Sequence, residues 1–312
     1  MSKWINTEAF SKFQGQKKEE QENQPEKGSG LRRSDFVWQT PEKGSSDRPK
    51  IYVGRFLVDK KGIPYKKYFY HMFKSGEKWT FIVCPKTDDF QNYCPWCSVT
   101  SKLYKGTATD KSAAFQYKRK EKFVGNFYIV DDPRDNEREE DEKICKKVKL
   151  YEFPSKVETL LREEIVDTKH GLGQKIFDPS NGGYDFILKV ASTKRDRNGN
   201  IWPDYAASTF ARRSYELGTD SEIKEIMEQT FDLDEYIENQ KRDNDFILQS
   251  LKDERVFDYI EDEWERYITP VADASSPSSE SEPEKVETVT ASSNGDDDDI
   301  SDDELLKELD KM

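Results

Sequence analysis

His71, Cys84, Cys94 and Cys97 follow one another as H-x12-C-x9-C-x2-C, and three of the four cysteines fall within fourteen residues. Zn²⁺ favours four tetrahedral ligands, and a Cys-x-x-Cys turn brings two thiolates to one ion without strain. A closed set of one imidazole and three thiolates leaves no coordination position for water, so the ion it implies is structural rather than catalytic. The competing chemistry for Cys94-Pro-Trp-Cys97 is a redox pair, which expects a βαβ surrounding that the flanking residues do not offer. For the fourth ligand, Cys145 and His170 remain alternatives to His71. Cys145 otherwise reads as a small buried residue in a strand.

A second kind of chemistry is suggested by cations interleaved with rings. Tyr104, Lys105, Phe115, Tyr117, Lys118, Arg119, Lys120, Lys122 and Phe123 form one cluster. Lys146, Lys147, Lys149 and Tyr151 form another, and Lys194, Arg195, Arg197, Trp202, Tyr205, Arg212 and Arg213 a third. A single nucleic-acid strand is held by cations along its backbone and by aromatic faces on which bases stack. No helix carries a basic reading face for the major groove of a duplex. Catalytic signatures are scarce: the chain has two histidines and lacks a P-loop, a GxSxG elbow and an HExxH helix.

The elements that must position these residues begin near Pro49. Ile51 to Asp59, Tyr65 to Phe73 and Lys78 to Cys84 are expected strands, the last two joined at Ser75-Gly76. Residues 85–115 are expected to be irregular. Strands resume at Lys122–Asp131 and Ile144–Tyr151. A helix follows, with Ser155 and Glu158 at capping-box spacing and Val157, Leu160, Leu161 and Ile165 on one face. Tyr184–Thr193 and Ile201–Phe210 form a strand pair around Asn198-Gly199. Strands, one helix, then two strands fit a small β-barrel of OB type, as they fit other α+β folds.

Charge divides the 312-residue chain. The whole carries 50 Lys/Arg against 63 Asp/Glu, a net of −13, with 36% charged and 34% hydrophobic residues. Residues 1–215 hold 41 Lys/Arg and 31 Asp/Glu, a net of +10, and residues 216–312 carry −23. A basic body with an acidic tail is the pattern of a nucleic-acid binder that carries its own polyanion. The expected division is a polar, flexible segment at 1–48 that is a candidate cooperativity region, a core at 49–215, an acidic helical region with a Thr219/Glu222 capping box at 216–269, and a disordered tail at 270–312. Within that tail Ser301 and Glu304 are spaced to cap a short helix, which is expected to carry Leu305, Leu306 and Leu309 on one side. No apolar run approaches the roughly 20 residues of a membrane span, and no signal-peptide core follows Met1. The expectation is a protein outside the membrane, not exported by the Sec route, in a reducing compartment.

With these motifs in view the sequence resembles the single-stranded DNA-binding, helix-destabilising proteins of T-even-like bacteriophages. The zinc spacing is similar. So are Lys118-Arg119-Lys120 leading into Phe123 and Asn126-Phe127; Tyr151-Glu152-Phe153; Asp185-Phe186-Ile187-Leu188-Lys189-Val190; Trp202-Pro203-Asp204-Tyr205; and the acidic end Asp302-Asp303-Glu304-Leu305-Leu306. The likeness runs over roughly residues 50–212 and the last fifteen. It implies an OB-fold core with an inserted zinc-bearing subdomain at about 71–115 and one structural Zn²⁺. It implies no enzymatic activity but cooperative, sequence-independent coating of single-stranded DNA in phage replication, recombination and repair, in the cytoplasm of the infected bacterium.

By the same resemblance Tyr104, Tyr117, Lys118, Arg119, Lys120, Phe123, Tyr151, Trp202 and Tyr205 are groove positions. The acidic tail, with Leu305, Leu306 and Leu309, docks replication and recombination proteins. One departure is the N-terminus, where the family's basic Lys-Arg-Lys-Ser-Thr-type stretch is replaced by Met1–Thr7. The alternatives are a metal-dependent nuclease or other DNA-processing enzyme, and a zinc-bearing transcription regulator.

Overall fold

The computed structural model describes residues 36–39, 41–76, 78–193 and 201–268. The N-terminal stretch 1–35, the basic residues Lys194, Arg195 and Arg197 with the expected Asn198-Gly199 turn, and the tail with Leu305, Leu306 and Leu309 lie outside these residues. The described part is an α+β body built on an eight-stranded antiparallel sheet. Its strands are β1 (Lys50–Leu57), β2 (Lys66–Ser75), β3 (Lys78–Val83), β4 (Lys120–Asp131), β5 (Val148–Phe153), β6 (Phe186–Ser192), β7 (Pro203–Asp204) and β8 (Thr209–Phe210).

The sheet runs β3-β2-β4-β1-β6-β7, with β5 added to β4 and β8 to β6. β4 organises this order. Residues 123 and 124 of β4 pair with both β2 and β5, and residues 126–128 with both β1 and β5. β1 and β2 therefore share one edge of β4, end to end, and β5 takes the other. At the β1–β4 contact the register shifts beside Gly54, where an added Cβ would lie 2.3 Å from the Phe127 ring. Only a residue without a side chain allows the strands to close there.

The main core fills this sheet with rings: Trp38, Tyr52, Phe56, Phe127, Tyr151, Phe153, Phe177 and Phe186 are all buried in one cluster. Helix α3 (Ser155–Val166) covers it through Val157, Leu161 and Ile165. The expected capping box does not form. Pro154 takes the N-cap position without a side-chain bond, and the Ser155 hydroxyl instead donates to Glu121 at 2.7 Å. Arg55, on β1, is buried, its Nε donating to Asp185 at 2.9 Å and its Nη1 to the carbonyls of Asp178 and Tyr215.

The stretch expected to be irregular holds two helices, α1 (Pro95–Tyr104) and α2 (Ala108–Tyr117). Pro95 pre-sets the first turn of α1. Thr107 and Asp110 close a reciprocal capping box at the start of α2. The expected strand at Ile201–Phe210 is broken into β7 and β8, each pairing with a different part of β6. Beyond them come α4 (Asp220–Glu228), capped by Thr219 and Glu222, then α5 (Leu233–Glu238), α6 (Asn244–Asp253) and α7 (Glu261–Ile268).

Candidate metal centre and nucleic-acid interface

Hairpin register brings the first two ligands together. Ser75 pairs with Lys78 across a turn in which Gly76 adopts φ +59°, a conformation that favours glycine. This register sets His71 opposite Ile82, and Cys84, two residues further on, projects to the same side. The amide of Cys84 donates to the Phe69 carbonyl at 2.8 Å, which holds the thiol beside the strand. Cys94 and Cys97 come from the N-terminus of α1, where Cys94 is the N-cap residue.

The four ligand atoms lie within 4.8 Å of one another, with His71, Cys84 and Cys94 buried. The distances suit a tetrahedral ion. Zn–S bonds of about 2.3 Å separate two sulfurs by about 3.8 Å, and a sulfur from a nitrogen by about 3.6 Å. Here Cys84 and Cys97 Sγ are 3.7 Å apart, and His71 Nε2 lies 3.4 Å from Cys94 Sγ and 3.6 Å from Cys97 Sγ. His71 Nδ1 donates to the Tyr117 carbonyl at 2.8 Å. A carbonyl can only accept, so Nδ1 carries a proton and Nε2 is the nitrogen turned toward the thiols, the orientation a metal ligand needs. Hydrogen bonds from Cys84 and Cys94 hold the Cys97 thiol far below its usual range, whereas burial pushes Cys94 well up.

The alternatives for the fourth ligand lie elsewhere. Cys145 Sγ accepts from the Asp132 amide, and burial pushes its thiol up to about 12. His170 is 84% exposed and pairs with Asp167.

Around this cluster a second core forms from Phe73, Ile82, Trp96, Val99, Leu103, Ala114 and Tyr117 together with Ile247, Leu251, Ile260 and Trp264. The acidic helices α6 and α7 therefore pack against the metal lobe. Glu263 on α7 accepts from Tyr93 Oη at 2.6 Å and Ser98 Oγ at 2.7 Å, and pairs with Lys102 at 2.6 Å.

Four of the expected groove rings are taken up by packing. Tyr117, Phe123, Tyr151 and Tyr205 are buried, and Tyr151 lies against Trp38, Phe127 and Phe153. In strands, aromatics fill cores more readily than grooves, because large rings contribute most apolar area. Tyr104 is half-buried beside the metal-lobe core. Trp202 is 57% exposed, between β6 and β7. Lys118, Arg119 and Lys120 are half-buried where α2 ends and β4 begins, and Lys146 and Lys147 are exposed ahead of β5.

The structure adds neighbours that residue types and spacing do not reveal. The Arg119 guanidinium lies over Phe69 at 4.5 Å and over Phe90 at 4.8 Å. Lys67 approaches Phe69 at 4.8 Å and Lys86 approaches Phe90 at 4.6 Å. Lys118 stands 4.4 Å from the Phe115 ring. On the other face of the hairpin Tyr70 stacks on Phe81 at 5.2 Å, and Trp79 near the tip is 67% exposed. The alternation of β2 carries a signal for part of this: Lys67, Phe69 and His71 share one side of the strand. Desolvation lowers the Lys118 and Lys120 ammonium groups, and Lys120 lowers Lys118 further, so an arriving anion would relieve both.

A buried His–Cys₃ cluster that could hold a metal ion, beside a rim of cations and rings on an antiparallel sheet, is an arrangement suited to binding nucleic acid. The particular family follows from sequence comparison. The family model described as gp32 DNA binding protein like matches residues 52–252, well over half of the chain, and the chain belongs to that family. The resemblance to phage single-stranded DNA-binding proteins is thereby borne out. The family is one of DNA-binding proteins and not of enzymes. No curated protein sequence matches the chain. Among the described residues no helix is long and apolar enough to cross a membrane.

Proposed function

We propose that the protein coats single-stranded DNA without sequence preference and serves phage replication, recombination and repair in the infected bacterial cytoplasm. The observation that carries this reading is the cation–aromatic rim around Arg119, Phe69 and Phe90, on a chain of the gp32-like family. Cations at ring faces are what a single strand needs, phosphates meeting charge and bases meeting π-surface. In this reading Lys118, Arg119 and Lys120 contact phosphates, while Trp202, Tyr104 and the rim rings offer stacking faces. The ion is one structural Zn²⁺, held by His71, Cys84, Cys94 and Cys97; it supplies folding free energy to the lobe and takes no part in chemistry. The three-strand pairing of β4 supports an OB-type reading of the sheet.

The acidic tail 270–312 has a net charge of −11. It competes with DNA for the basic surface and, through Leu305, Leu306 and Leu309, docks replication and recombination proteins. Neighbouring copies associate along the strand. Binding to a labelled mixed-sequence single strand and to a duplex of equal length, titrated with salt in Mg²⁺, tests the reading. Preference for the single strand with a steep salt slope and no strand cleavage is expected. Preference for the duplex, or turnover of the strand, would replace it with one of the alternatives.

A further inference from the structure

Tyr117 is the point at which three parts of the metal lobe meet. Its carbonyl accepts from His71 Nδ1 at 2.8 Å, and its ring packs on Phe73 and Trp96 at 5.1 Å from each. Its hydroxyl donates to Glu254 Oε2 at 2.6 Å. It is also the last residue of α2, and the next three residues are the basic run. Lys118 leaves the helix at φ −55° and ψ 147°, and Lys120 is already in β4, paired with Tyr70. The run is therefore a short extended connector whose path is set by its two ends, the β2–β4 ladder on one side and Tyr117 on the other.

Glu254 is a firm anchor for that second end. It follows α6 directly, where the chain turns through Arg255 at φ 56° and the Val256 amide returns to the Leu251 carbonyl at 3.0 Å. Leu251 and Val256 are both buried in the metal-lobe core. A hydroxyl donating to a carboxylate at this distance is a strong, charge-assisted bond.

We propose that Glu254 is a positioning residue for DNA binding: through Tyr117 it fixes where Lys118, Arg119 and Lys120 present their charges. An acidic helix, which on charge alone repels DNA, thus helps to aim the basic run. The inference rests on the reading that this run contacts phosphates.

Anisotropy of a labelled mixed-sequence single strand, over a salt series with the metal-loaded full chain, tests it. Tyr117→Phe and Glu254→Ala should each weaken binding about three- to tenfold, less than the full worth of a charged hydrogen bond because the β2–β4 ladder still holds the other end of the run. Both should lower the salt slope toward that of Lys118→Ala, by up to about 0.7 for each phosphate that is no longer neutralised. The double variant should be no weaker than either single one. Glu254→Gln, which still accepts from the hydroxyl, should bind nearly as the parent does. Metal content should stay at one ion per chain throughout. Parent-like slopes in Tyr117→Phe and Glu254→Ala, with a lowered slope in Lys118→Ala, would overturn the proposal alone. Weakened binding at an unchanged slope, or Glu254→Gln as weak as Glu254→Ala, would overturn it in favour of a bulk structural or charge effect. Silent Lys118→Ala and Arg119→Ala would remove the phosphate reading, and the proposal with it.

Discussion

The sheet core around Trp38, Phe56, Phe127 and Phe153 and the lobe around His71 and Cys84 draw on the same residue types, yet among the described residues only the lobe gathers a candidate ligand set. The difference lies in element size. The sheet core rests on a twelve-residue β4 with partners on both edges, plus a twelve-residue α3. The lobe has a hairpin and two ten-residue helices, and it borrows Leu251, Ile260 and Trp264 from the C-terminal helices to close its interior. Small units bury too little apolar surface to hold themselves, and metal ligation is a common remedy. The region with the candidate ligand set is also the one that carries the basic run.

Metal removal should separate the two regions most sharply. Hydrogen exchange after chelation should rise across residues 71–117 and 244–264 while β1 and β6 stay protected. A uniform rise would mean that the regions form one cooperative unit, and no rise would mean that the lobe folds without the ion.

Ring substitutions sharpen the same contrast. Tyr151→Ala should cost about 3–5 kcal/mol in urea unfolding, because it empties a packed site. Trp202→Ala, at an exposed ring, should change stability by no more than about 0.5 kcal/mol. It should weaken single-strand binding by about 1–3 kcal/mol if the ring stacks on a base. A stability loss as large for Trp202 as for Tyr151 would erase the distinction between core ring and surface ring.

The smallest effect concerns the latch between α7 and α1. Hydrogen bonds from Lys102, Tyr93 and Ser98 lower the Glu263 carboxyl to about 2. A lowered acid contributes stability that is full above its unfolded value, near 4.5, and fades as pH falls toward about 2. The parent should therefore be more stable than Glu263→Gln at pH 6, and the gap should close between about pH 4.5 and 2. Comparing the two chains at each pH cancels the effects of acid that both share. A pH-independent gap would show that the latch works by packing alone.

The cluster His71, Cys84, Cys94 and Cys97 is legible in the sequence because a Cys-x-x-Cys turn and a hairpin each bring ligands together by local geometry. The strands β1 to β3 are legible from β-branched and aromatic runs. Helices α1 and α2 are not, because Pro95 in sequence marks a break as readily as a helix start, and the Thr107/Asp110 box precedes a stretch with no apolar stripe. Among the rings, type alone does not separate Tyr151 from Trp202, since both stand near cations in sequence. Burial depends on register across β4 and β5, which is a long-range property. Phe69 and Phe90 become partners of Arg119 only through the fold, one from β2 and one from the loop ahead of α1.

The central claim is that the metal lobe holds a surface for single-stranded DNA in place, and salt-titrated binding of a mixed-sequence single strand before and after chelation tests it most directly. The account predicts that the chelated protein binds more weakly and with a shallower slope, because the basic run loses the anchor that His71 gives Tyr117. Equal affinity and equal slope with and without the ion would contradict it.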